Sequence, residues 1–99
     1  MRYIVDIDGT ICTSTEGKYE EASPFPSNIE KINNLYDEGN EIIYWTARGS
    51  VTGIDWTELT TKQLKEWGVK YAELRMRKPH YDLFICDKAI NSEDYFNDK

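Results

Sequence analysis

A short β-branched and aromatic run, Tyr3-Ile4-Val5-Asp6-Ile7, is cut off abruptly by Asp8-Gly9-Thr10. The run predicts a short buried strand and the triplet predicts a turn at its end. Asp6 and Asp8 are two residues apart, so extended geometry points both side chains the same way. Carboxylates that close repel each other unless a cation lies between them or one of them is protonated. The first ten residues therefore call for a fold that leaves this strand end open to solvent or to a ligand.

The rest of the chain alternates strand-like and helix-like segments. Residues 11 to 22 offer two polar arms around Glu16-Gly17, which predicts a small hairpin flap. Ser27 with Glu30 three residues on is a capping-box pattern. Ile29, Ile32, Leu35 and Tyr36 then recur at helical spacing up to Gly39, which predicts a helix from about 28 to 38. Ile42-Ile43-Tyr44-Trp45 is continuously apolar, as in a strand covered on both faces. Trp56, Leu59, Gln63, Leu64 and Trp67 follow a helical period that stops at Gly68. Val69 to Leu74 and Asp82 to Cys86 predict two further strands, and Asn91 to Phe96 a short last helix. This alternation predicts an α/β fold, a Rossmann-like parallel sheet with helices on both faces.

With 99 residues, 39% hydrophobic, the chain has material for one compact domain spanning 1–99. A net charge of −6 lacks the clustered Lys and Arg of a nucleic-acid surface, so nucleic acid is disfavoured as a partner. One or two placed cations could still hold a small phosphorylated substrate. Neither a membrane-length apolar run nor a signal peptide is found, so a cytoplasmic location and no membrane contact are expected. Cys12 and Cys86 are expected as reduced thiols in or near the core.

In a parallel sheet, sites form at the carboxyl ends of the strands, where Asp6, Asp8, Thr46 and Asp87 all fall on this reading. Taken singly, each has a plainer explanation: a solvated strand-end acid, a Thr turn cap, or a surface Lys in the case of Lys78. Together they provide what phosphoryl transfer needs. One carboxylate can act as nucleophile, and a second carboxyl can protonate the leaving oxygen. Mg²⁺ would bridge the nucleophile and a phosphoryl oxygen. Gly9 allows a sharp turn whose backbone N–H groups could face the phosphate, and Thr10 could fix the turn. Thr46 could present its hydroxyl, Arg48 could bind substrate, and Lys78 could balance the charge on the nucleophile.

These residues resemble the haloacid-dehalogenase (HAD) superfamily over nearly the whole chain. The matching motifs are Asp6-Ile7-Asp8-Gly9-Thr10, Thr46 within Ile43-Tyr44-Trp45-Thr46-Ala47-Arg48-Gly49, Lys78 before Pro79, and Asp87. The resemblance implies a HAD-like core, an aspartyl-phosphate on Asp6, and Asp8 as general acid/base. It implies Mg²⁺ held by Asp6, by Asp8 through its backbone carbonyl, and by Asp87. It implies phosphate contacts from Thr46 and Lys78, with Gly9, Thr10, Ala47 and Arg48 lining the phosphate and substrate. Ile11-Cys12, Asn33-Asn34-Leu35-Tyr36 and Lys78-Pro79-His80-Tyr81-Asp82 are similar to small bacterial or phage members associated with sugar-phosphate and capsule metabolism. The fourth motif departs from the family pattern, reading Cys86-Asp87 where two adjacent acids are common.

Only 16 residues separate Thr10 from Ser27, and the 31 between Thr46 and Lys78 are already committed to a loop, a helix and a strand. Neither stretch can hold a cap domain, so a large substrate or a neighbouring subunit in a homo-oligomer would have to exclude water from the site. The expected activity is that of an Mg-dependent phosphatase hydrolysing a phosphomonoester, such as a sugar phosphate or another small metabolite. The alternatives are a phosphatase acting on a macromolecular phosphate and a catalytically impaired HAD-fold binding module.

Overall fold

The computed structural model describes residues 1–97. Three strands, β1 (Arg2–Val5), β2 (Glu41–Trp45) and β3 (Glu73–Arg75), form a parallel sheet in the order β1-β2-β3. Helix α1 (Pro26–Asp37) connects β1 to β2, α2 (Thr57–Glu66) connects β2 to β3, and α3 (Ser92–Phe96) follows a long arm. In register, Tyr3 lies beside Ile42 and Val5 beside Tyr44, and Tyr44 in turn lies beside Leu74.

Those residues share one face of the sheet because side chains alternate along a strand. Val5, Ile42 and Tyr44 join Ile29 and Ile32 of α1 and Leu64 of α2 in a single core, against which Tyr95 and Phe96 of α3 also pack. All three helices thus lie on one face, not on both as expected. The reason is topological: the strand order advances without reversing, and right-handed crossovers in one direction put every connecting helix on the same side. A reversal would have required the expected strand at Asp82–Cys86. Those residues are exposed and form no strand. The opposite face carries Arg2, Ile4, Glu41, Ile43, Trp45, Glu73 and Arg75, with an exposed Arg2–Glu41 ion pair at 2.6 Å. Ile4 there is 52% exposed.

Local differences from expectation also have simple causes. Helix α1 starts at Pro26 with Phe25 as its cap residue, so Ser27 falls in the first turn and makes no capping box. Pro at the start needs no N–H partner, which suits that position. Residues 13–23 close at a hairpin-like neck, where Thr13 N–H donates to the Ser23 carbonyl at 2.9 Å, but inside it only a short 3₁₀ turn at Tyr19–Glu21 is regular. Val69 to Ala72 approach the sheet without joining it as strand, and the pairing begins at Glu73. Cys12 is buried while Cys86 is exposed, which corrects the expectation that both thiols lie in or near the core.

Gly49 decides how the chain leaves β2. Its φ is +82°, and a Cβ there would sit 2.1 Å from the Ile54 carbonyl oxygen. Both the dihedral and the backbone contact exclude a side chain. Gly49→Ala is expected to destabilise the protein by about 2 kcal/mol or more, read as a lowered urea midpoint at unchanged m.

Candidate functional site

The carboxyl ends of β1 and β2 open into a cleft of about 230 Å³ lined by Asp6, Asp8, Thr46, Ala47 and Arg48, with residues 14–17 and Tyr19 of the flap across from them. Asp6 follows β1 directly. Its side chain is 42% exposed and one carboxylate oxygen lies 3.7 Å from Lys78 Nζ. Burial pushes the Asp6 carboxyl above its ordinary value, outweighing the opposing pull of the Lys78 ammonium.

Lys78 is aimed by the backbone. Its N–H donates to the Thr46 carbonyl at 2.9 Å, and Ser50 Oγ donates to the Lys78 carbonyl. The Thr46 hydroxyl accepts from the Arg48 N–H at 3.2 Å. Thr46 is therefore the joint from which both cations are positioned, while its hydroxyl stays at the cleft wall.

Arg48 differs from expectation. It was expected to bind substrate, yet it is 2% exposed and its guanidinium is engaged within the protein. Nε and Nη2 donate to the two oxygens of Asp8 at 3.0 and 2.9 Å. Nη1 donates to Thr60 Oγ1 at 3.1 Å and to Gln63 Oε1 at 2.6 Å, both on α2. The guanidinium also lies 4.7 Å above the Tyr19 ring of the flap. A buried cation needs this full set of acceptors. Arg48 consequently orients Asp8 and leaves Lys78 as the cation facing Asp6.

The turn after β1 is also more self-contained than expected. Gly9 takes φ +80°, its N–H donates to the Cys12 carbonyl at 2.8 Å, and Thr10 N–H donates to the Ile7 carbonyl at 3.0 Å. These amides bind the turn together rather than facing the cleft. Thr10 is buried and its carbonyl accepts from Asn28 Nδ2 at 2.9 Å, so it fixes the turn as anticipated. Asp87 is not brought to the site. It lies on the exposed arm beside Cys86, because the strand that would have carried it there is absent. Among the described residues no three His, Cys, Asp or Glu side chains cluster as a metal site.

Sequence reasoning missed several members of this network. Thr60 and Gln63 read as ordinary positions of an amphipathic helix, although both are buried polar residues, one turn apart on the face of α2. A polar pair on an otherwise apolar stripe is the signal that could have marked them. Cys12 sits 3.5 Å from an Asp8 oxygen, and burial pushes its thiol up to about 12. Tyr19, stacked edge-on against Trp56 at 5.1 Å, carried no sequence signal beyond its place in the flap.

Fold and cleft together define a small α/β domain with paired acids at the carboxyl edge of a parallel sheet. Comparison with known proteins agrees at the level of fold. The chain is similar to the crystal structure of a target protein from Vibrio cholerae, with a TM-score of 0.87 and 27% sequence identity, covering 99% of this chain and 89% of that one. No family model matches the sequence, and no curated protein matches it. No helix among the described residues is long and apolar enough to cross a membrane.

Removing the Arg48 cation leaves Asp8, Thr60 and Gln63 without their shared donor. Arg48→Met is expected to cost about 3 kcal/mol of stability. Arg48→Lys is expected to restore little of it, because an ammonium cannot span two carboxylate oxygens and the α2 acceptors at once. Urea unfolding of both variants, followed by circular dichroism, measures the difference.

Proposed function

We propose that this chain is an Mg²⁺-dependent phosphomonoesterase with a HAD-like core and no cap domain, acting on a small phosphorylated metabolite such as a sugar phosphate. The observation that carries this reading is the pairing of Asp6 with Lys78 in a cleft whose second acid, Asp8, is held by a buried Arg. The cleft volume of about 230 Å³ suits a phosphoryl group rather than a whole ligand, since sites that engulf their ligands run to ~300–1,000 Å³. The remainder of the substrate would lie against the flap and the open rim.

Asp6 is the nucleophile in this scheme. One of its oxygens forms a bond to phosphorus as the bond from phosphorus to the substrate oxygen breaks, giving an aspartyl-phosphate. Lys78 stabilises the charge on the transferring group from a fixed position. The leaving oxygen takes a proton from Asp8. Both Asp8 oxygens accept from Arg48 here, so this role requires one oxygen to turn toward the cleft; resting hydrogen bonds of this kind rearrange when substrate arrives. In the second half, Asp8 takes a proton from water, whose oxygen attacks phosphorus and frees Asp6 as phosphate leaves.

Mg²⁺ suits the hard oxygen donors available, namely the Asp6 carboxylate and the Asp8 backbone carbonyl, because this ion keeps several waters and needs few protein ligands beyond the substrate phosphate. When bound it would neutralise charge between the nucleophile and a phosphoryl oxygen. One observation favours a second reading, a catalytically impaired binding module: within one chain the Asp87 carboxylate lies away from the cleft.

Asp6→Asn separates chemistry from folding. Phosphate release from a phosphometabolite panel with Mg²⁺ is expected to fall by at least about 10³-fold. Stability should move the other way. The raised Asp6 value means that the folded state binds the proton more tightly than the unfolded chain, so this group's contribution is fully present below its unfolded value and is lost as pH rises through the folded one. The variant should therefore be more stable than the parent at pH 7, and the gain should vanish as pH falls below the ordinary Asp value of 3.8. Thermal melts across pH check the sign, and retained turnover would remove Asp6 as nucleophile.

A further inference from the structure

The charges at the cleft do not cancel. Asp8 is matched by Arg48 at 2.9 Å and Asp6 by Lys78 at 3.7 Å. Glu16, across from them on the flap, lines the same space and makes no ion pair among the described residues. Lys18, two residues further on, lies outside the lining, so the flap supplies no cation to the cleft wall. A bound phosphoryl dianion and an accompanying Mg²⁺ would add equal and opposite charge. They would leave the Glu16 carboxylate unbalanced.

Glu16 is set there by a turn that its side chain does not favour. The Thr15 carbonyl accepts from the Lys18 N–H at 3.3 Å, and φ is +56° at Glu16 and +97° at Gly17. Positive φ at both central positions matches a two-residue hairpin turn whose first position ordinarily takes Asn, Asp or Gly. A glutamate in left-handed backbone costs stability, and residues held in this way cluster at ligand clamps. The flap that carries it is seated on the rest of the domain. Gln63 Nε2 donates to the Tyr19 carbonyl at 2.7 Å, and the Tyr19 ring packs edge-on against Trp56 at 5.1 Å. Ser14, exposed on the same wall, adds a hydroxyl beside the carboxylate.

We propose that the flap tip sets the substrate class of this site: Glu16 admits a phosphate ester whose remaining part is hydroxylated or aminated and rejects one that carries a second anionic group. A hydroxyl or an ammonium donates to a carboxylate, whereas an ionised carboxylate or phosphate has nothing to donate. A rounded space of about 230 Å³ is ~8 Å across, and over that distance one carboxylate disfavours a second anion by about twofold in bulk water and about thirtyfold at the effective dielectric of a protein surface. An open cleft lies between those limits, so discrimination of about tenfold is expected. The substrate class rests on the phosphatase reading; the order of binding does not.

Three esters on one sugar ring test the order: glucose 1-phosphate, glucosamine 1-phosphate and glucuronic acid 1-phosphate, which present a hydroxyl, an ammonium and a carboxylate. Their binding is measured by titration calorimetry at pH 7 with Mg²⁺ present, in an Asp6→Asn background that holds the esters without turnover. The neutral and aminated esters are expected to bind about tenfold more tightly than the acidic one. Glu16→Gln in the same background keeps the shape of the side chain and removes its charge, and is expected to bring the ratio of neutral to acidic affinity close to one. Raising the salt concentration should shrink the ratio in the Glu16 protein and leave it flat in the Gln variant, a readout that a merely structural role for the turn would not move. An acidic ester that binds as tightly as the neutral one, or a ratio that Glu16→Gln leaves unchanged, overturns the proposal. So does failure of all three esters to bind while the wild type releases phosphate from some other ester, an outcome that spares the phosphatase reading. The expected order of binding, with no phosphate released by the wild type from any ester, supports the role of Glu16 and removes the phosphatase reading.

Discussion

The guanidinium of Arg48 is the point on which the site's architecture depends. It joins the turn after β1 through Asp8, helix α2 through Thr60 and Gln63, and the flap through the Tyr19 ring. A charge this deeply buried tolerates no missing partner, so the three segments it touches have to arrive together. Gln63 extends the network by donating from Nε2 to the Tyr19 carbonyl at 2.7 Å. The flap is thereby tied from two directions although it has little regular structure of its own. The cleft is a consequence of that bracing, because its far wall would otherwise be free to swing away.

The second constraint is the way the sheet is covered. A parallel sheet ordinarily hides both faces, yet here the helices share one side and the other is defended by an exposed ion pair and the partly buried Trp45. That asymmetry follows from an order of strands that never reverses. The centre of that side is nonetheless closed, since Ile43 is buried there. On a chain of net charge −6, the largely buried Lys78 ammonium sets one positive charge against Asp6 at the cleft.

Much of this was legible in the sequence because it is local. The Tyr3–Ile7 run, the continuous Ile42–Trp45 segment and the helical spacing of Ile29, Ile32, Leu35 and of Leu59, Gln63, Leu64 carry their periods within a few residues, and periodicity reports burial directly. Asp6 and Asp8 at a strand end, Thr46 at the next, and Gly39 as a helix stop could be read for the same reason. Helix boundaries moved by a residue or two, as at Pro26, because a cap depends on backbone angles that composition only suggests.

What tertiary structure alone decided is which groups meet. Sequence determined that acids sit at the ends of strands and that cations occur near them; it could not say that Arg48 would turn inward to Asp8 while Lys78 took the place beside Asp6. Burial selected between them, since a planar fork can satisfy two carboxylate oxygens and two α2 acceptors at once, and an ammonium cannot. The Leu83–Cys86 segment shows the converse. Its residues are as strand-prone as those of β2, but a strand exists only when another strand offers its edge, and among the described residues this segment pairs with none.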